Sequence, residues 1–146
     1  MHPEIHLNGL SVLLAVVSSF VFGWLWHGPL FGKLWIKLMK IPAEVRPSPK
    51  MMIRSMLLGI FGTLLTTYVL VFSTNIWRPS VWHIGADDVW YIYGFCSGFF
   101  TWLGFYVPVF LNAVAWECRS GKLFVFNIIY HFLNLQIIAM ILAYMY

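Results

Sequence analysis

Four long stretches of this chain are almost wholly apolar, and short polar connectors separate them. The apolar runs cover approximately residues 10–30, 51–76, 89–115 and 123–146. A helix needs about 20 apolar residues to cross the hydrocarbon of a bilayer. Each run is that long, so each is expected to be a transmembrane helix. The longest connector, residues 31–50, has no room for a separate soluble domain. The pattern predicts one all-α domain over residues 1–146, an integral membrane four-helix bundle.

The period changes just after the first run. Trp24, Leu25, Trp26 and His27 lead into Gly28 and Pro29, a pair that breaks helices. Pro29 is suited to open a new helix, because the first turn has no use for its missing N–H. Lys33, Lys37 and Lys40 follow at i, i+4 and i+7, with Phe31, Leu34, Trp35 and Leu38 on the other face. That spacing predicts an amphipathic helix lying in the membrane plane on the cytoplasmic side. Its lysines would reach anionic lipid headgroups and its aromatics the acyl boundary. Pro42, Pro47 and Pro49 then form a stiff connector to the second span.

Composition supports the membrane assignment. The chain has 146 residues, of which 61% are hydrophobic and only 10% charged. Soluble domains carry about 25% charged residues. The first six residues lack the basic region of a cleaved signal peptide, so the first span is read as a retained anchor. The charges set an orientation. Lys33, Lys37, Lys40, Arg46, Lys50 and Arg54 follow the first span, Arg119 and Lys122 follow the third, and Arg78 stands alone at the other side. The positive-inside rule places both basic loops in the cytoplasm and both termini outside it, as a multi-pass protein of the inner (plasma) membrane. The net charge of +4 is explained by topology and lipid headgroups, and no nucleic-acid partner is expected. Cys96 and Cys118 differ in depth and form no CxxC motif.

Two blocks carry a family resemblance. "FGWLWHGPLFGKLW" is similar to the signature of an uncharacterised family of small bacterial and fungal membrane proteins, domain of unknown function 1761. Gly23, Trp26, Pro29, Leu30, Phe31, Gly32, Lys33 and Trp35 match it. His27 replaces the usual tyrosine, and one spacer residue is absent. The second block runs from Thr101 to Asn127, where Trp102, Gly104, Pro108, Asn112, Glu117, Arg119, Lys122, Leu123, Phe124 and Asn127 resemble the pattern. The resemblance implies a four-helix membrane fold and no particular activity.

Polar residues inside the spans are the candidate chemistry, because lipid offers them no partners. Asn127, His131 and Asn134 recur at i, i+4 and i+7 and share one face of the fourth span. Asn112 lies in the same half of the third span, with Pro108 four residues earlier and Glu117 and Arg119 just beyond. His27 ends the first span at the same level. Together His27, Asn112, Glu117, Arg119, Asn127, His131 and Asn134 could converge on a polar pocket open to the cytoplasm. The competing reading makes the Asn and His side chains packing glue between helices. Haem or metal ligation by His27 and His131 lacks a spacing motif, so no metal or cofactor is expected. His2 and His6 read as a solvated tail, and Asp87 and Asp88 as N-terminal residues of the third span. Gly59, Thr63 and Thr66 form a small-residue face that could pack against Gly94, Ser97, Gly98 and Thr101, or serve as a seam between copies.

Three functions compete. The chain lacks any nucleophile–base pair, phosphate loop or metal motif, which favours a non-enzymatic protein acting by binding or as a subunit of a homo- or hetero-oligomer. A small oligomeric transporter or channel would use the stripe of the fourth span. A membrane enzyme acting on a lipid or quinone would use Glu117, His27 and His131 as acid–base groups.

Overall fold

The computed structural model describes residues 5–42, 44–45 and 47–146. Arg46 and His2 of the sequence reading lie outside these residues. All regular structure among the described residues is helical. Four helical stretches are long and apolar enough to cross a membrane: Gly9–Leu30, Pro49–Asn75, Trp90–Trp116 and Gly121–Tyr144. The molecule is thus a multi-pass membrane protein, and its spans fall within a few residues of the four apolar runs. Much of its apolar surface is open, as with Leu57 at 62% and Phe105 at 72% exposure. That is how a chain looks when lipid is its solvent.

The first stretch is α1 (Gly9–Leu25) continued by a π-helical turn, Trp26–Leu30. Asn8 caps α1, its side-chain oxygen accepting from the Leu10 and Ser11 N–H groups, and its amide donates to the Met145 carbonyl at 3.0 Å. One side chain therefore ties the start of α1 to the end of the last helix.

The helix does not break at Gly28 and Pro29, as the sequence reading placed it. Pro29 sits inside the π turn, and the break comes at Phe31, with φ −127°. Proline lacks an N–H and its ring clashes with the carbonyl four residues back. Widening the turn relieves both, with Phe31 N–H reaching Trp26 O at 3.0 Å. The next helix, α2 (Gly32–Leu38), starts so tightly that a Cβ at position 32 would lie 2.8 Å from the His27 carbonyl oxygen. Lys33 and Lys37 are on α2, and Lys40 lies beyond it at φ 54°.

α3 (Pro49–Asn75) opens with Ser48 as cap and Pro49 in its first turn. A short 3₁₀ turn, Pro79–Trp82, follows. The third stretch is α4 (Trp90–Thr101), a second π turn at Trp102–Tyr106, and α5 (Val107–Trp116). Pro108 sits in the first turn of α5, directly after that π turn, whereas Pro29 lies inside its own. α6 (Gly121–Tyr144) begins on Ser120, whose hydroxyl accepts from Leu123 N–H.

α6 is the centre of the bundle and packs against α1, α3, α4 and α5. The core lies between α1, α3 and α6, built from Ala15, Leu70, Val71, Leu135, Ile138 and Leu142. The small face of α4 turns chiefly to α6, not to α3. A Cβ at Gly94 would meet Met140, Ala139 and Ala143, and one at Gly98 would meet Gln136. Ser97 alone carries the expected link to α3, accepting from Thr74 at 3.1 Å. Close backbone approach replaces hydrophobic drive here, since lipid is as apolar as the core.

Candidate functional site

The candidate residues cluster where α5 turns into α6. Cys118 adopts φ 55°, which reverses the chain in a few residues and sets Ser120 as the cap of α6. The reversal brings Glu117 and Arg119 beside Asn127, in a cleft of about 220 Å³ that Met39 and Phe110 also line. An adjoining cleft of about 200 Å³ adds Lys40 and Cys118 to Glu117 and Arg119. Arg119 Nε lies 3.5 Å from Glu117 Oε2. Both side chains are largely exposed, so the pair contributes little to stability and remains available to other charges.

The two histidines lie deeper and share one neighbour. His27 packs its ring against Tyr130 with centroids 4.6 Å apart, and His131 packs against the same Tyr130 at 4.9 Å. His27 Nδ1 is 3.1 Å from the Gly23 carbonyl oxygen. A carbonyl only accepts, so Nδ1 carries the proton in that bond, and a neutral ring leaves Nε2 as an acceptor. Trp35 and Phe126 close the other sides of His27. His131 is enclosed by Tyr106 at 4.8 Å and Phe110 at 5.0 Å, the latter stacked. Phe110 thus separates His131 from the cleft of Glu117, Arg119 and Asn127, whose wall it forms. The proposed convergence is a two-layer arrangement: charged and polar groups outside, an aromatic cage with two imidazoles inside.

Other candidates are placed apart. Asn112 is exposed on α5. Asn134 lies one turn beyond His131, and its side-chain oxygen is enclosed without a hydrogen-bond partner. Lys33, Lys37 and Lys40 are all exposed. Asp88 does not cap α4 with its carboxylate; its N–H donates to the Tyr93 hydroxyl at 2.9 Å, and Val89 takes the cap position. Asp87 caps the 3₁₀ turn instead, accepting from Ser80 N–H and Ser80 Oγ, both at 2.9 Å.

The most developed polar network was not singled out as a site from the sequence. Arg78 is buried at 5% exposure at the end of the molecule opposite the basic loops. Its Nε donates to Asn75 Oδ1 at 2.9 Å, Nη1 to Asp87 Oδ2 at 3.2 Å, and Nη2 to the Ala143 carbonyl at 2.7 Å. Tyr93 and Tyr146 lie over the guanidinium, 4.8 and 4.6 Å from ring centroid to Cζ. Burial works to raise the Asp87 carboxyl, but the two Ser80 bonds and Arg78 outweigh it and hold the group below the usual carboxylate range. The available signal was an arginine alone between Trp77 and Pro79, where the charge pattern otherwise avoids cations. Gln136 lies off the Asn127–His131–Asn134 stripe and donates weakly to the Phe95 carbonyl, at 3.4 Å.

Among the described residues no group of three or more His, Cys, Asp or Glu stands close enough to hold a metal ion. Residues 10–143 match the family described as Protein of unknown function (DUF1761), and the chain belongs to that family. No curated protein and no solved structure matches it. The fold and family together define a four-helix membrane protein whose site must be read from its own geometry.

Proposed function

We propose that this protein is a non-enzymatic membrane subunit that works by association with another transmembrane helix, with self-association as the first case. One observation carries the reading. Every residue of α3 from Met51 to Gly62 is exposed, so nearly half of this span is left largely uncovered by the other described residues. The same segment presents Ser55 and Gly59 at i and i+4, continued by Thr63 at its edge, and a Cβ at Gly59 or Gly62 would meet nothing within 4 Å. Small residues toward lipid leave a groove that tails fill poorly, whereas a second helix can approach closely there. α3 returns to its own bundle from Thr63, which is half-buried, and the Thr66 hydroxyl lies 3.4 Å from that of Tyr106.

The basic loops fit the same picture. Lys33 and Lys37 on α2 and the clefts around Arg119 offer contacts to anionic headgroups beside such an assembly, with both basic loops in the cytoplasm. The transporter reading is less favoured, because His131 is enclosed by aromatic rings rather than lining an open path.

The test is disulfide trapping in native membranes, in a chain with Cys96 and Cys118 replaced by serine. Cysteine at Gly59 should cross-link two chains, and cysteine at Leu57, on the opposite face, should not. Equal trapping at both positions, or none at either alongside a monomeric mass in native mass spectrometry, overturns self-association.

A further inference from the structure

A further cleft, of about 510 Å³, lies between α3 and α4 toward the end that carries Arg78. Trp77, Tyr93, Phe100 and Phe105 make its walls largely aromatic. Ser73, Ser97 and Thr101 bring hydroxyls to it, beside the Cys96 thiol and the Trp77 indole, and the buried Thr74 behind them completes an ordered set. Thr74 Oγ1 donates to Ser97 Oγ at 3.1 Å, and Ser97 Oγ donates to Ser73 Oγ at 3.1 Å. A hydroxyl has one proton to give. Thr74 and Ser97 have spent theirs, so the uncommitted proton of the chain belongs to Ser73, which lines the cleft. Thr101 lines it too, and its hydroxyl makes no hydrogen bond among the described residues.

Thr101 ends α4, about 16 Å along the helix from Trp90 at 1.5 Å per residue, and Ser73 lies two residues before the end of α3. Both belong to membrane-crossing stretches and both open onto the cleft. A wholly apolar occupant would leave the Ser73 proton unpaired at a cost, whereas one that carries an acceptor would not. Helical serine and threonine usually relieve this by bonding to the carbonyl four residues back. Here neither does.

We infer that this cleft binds a lipid-soluble molecule presenting a carbonyl oxygen on a flat ring, a quinone in chemical class, with Ser73 donating to the carbonyl. The aromatic walls suit a flat ring, and the apolar rim lets an alkyl or isoprenoid tail run out into lipid. No electron transfer is part of the inference. The ester carbonyl of a phospholipid is the other source of such an acceptor. The site is independent of helix association through Gly59, which lies toward the other end of α3.

The probe is decylubiquinone, titrated onto the purified full chain in non-ionic detergent, with bound mass read by native mass spectrometry. The wild-type chain should take up one molecule saturably. Ser73→Ala, which removes a single oxygen, should weaken uptake roughly five-fold, the scale of one lost hydrogen bond. Cys96→Phe, which fills the cleft from α4, should weaken it more than about ten-fold while circular dichroism retains the helix content. Decylbenzene, with the tail and a ring but no carbonyl, should not displace the quinone, and neither should phosphatidylcholine at equal concentration. Absence of saturable uptake by the wild type, or wild-type affinity in Ser73→Ala, overturns the inference. So does displacement by decylbenzene, which leaves only a greasy cleft, or by phosphatidylcholine, which assigns the hydroxyls to lipid esters. Should Cys96→Phe fail to fold, Ser73→Ala decides alone.

Discussion

The guanidinium of Arg78 donates to the main-chain oxygen of Ala143 at 2.7 Å, across 65 residues of sequence. This bond ties the connector after α3 to the last turn of α6. The same side chain holds Asn75 and Asp87, and Tyr93 from α4 covers it. One buried cation therefore fastens three of the four spans at one end.

Removing that cation should be destabilising. Arg78→Ala leaves the Ala143 carbonyl and Asn75 Oδ1 without their donor and opens a cavity under two tyrosine rings, while Asp87, partly exposed, keeps its two Ser80 bonds; the loss should be about 2–3 kcal/mol. Titration with sodium dodecyl sulfate in mixed micelles should show a loss of that order. Arg78→Lys should recover only a small part, because a point-like ammonium cannot serve three acceptors lying in different directions or stack on two rings. A lysine variant as stable as wild type would mean that the planar geometry is irrelevant.

The Asp87 carboxyl sets a pH dependence. Its folded-state affinity for protons is below normal, so the unfolded chain binds the proton more readily. Its contribution is fully present above the ordinary aspartate value of about 3.9 and is lost as pH falls through the lower folded value. Melting temperature in non-ionic detergent should thus hold steady down to about pH 5 and drop below about pH 4. Asp87→Asn should start lower and show a shallower drop. A slope unchanged by the substitution would place the acid sensitivity elsewhere.

His131 distinguishes packing from chemistry in the fourth span. Its ring faces Tyr106, Phe110 and Tyr130. If ring contact is its role, His131→Phe should cost less than about 1.5 kcal/mol, as shape-conserving exchanges do. His131→Ala opens a cavity in the cage and should cost roughly 2–4 kcal/mol. Thermal unfolding of both variants in the same detergent makes the comparison. Equal losses would show that the imidazole nitrogens matter, and would return the polar stripe to consideration as a site.

Much of the candidate site was legible as a set of faces, and little of it as a set of contacts. Asn127, His131 and Asn134 do share a side of α6, because 3.6 residues per turn fixes that from spacing alone. Their surroundings are nevertheless unlike: a charged cleft for Asn127, an aromatic cage for His131, and an enclosed oxygen for Asn134. Those depend on which helix lies opposite each turn. Asn112 is exposed for the same reason.

The sequence by itself determined that the chain crosses a membrane, how many times, and where the spans lie. Hydrocarbon thickness sets a minimum length for an apolar run, and that length can be counted. It also placed Lys33, Lys37 and Lys40 outside the spans, because charge is expelled from lipid. Tertiary structure alone decided that α4 packs its glycines on α6, that Pro29 is absorbed by a π turn, and that Arg78 and the Ser73–Ser97–Thr74 hydroxyls find partners far along the chain. In lipid, solvent does not sort apolar faces into inside and outside. Close fit between small residues and the pairing of polar groups choose the neighbours, and both act between residues distant in sequence.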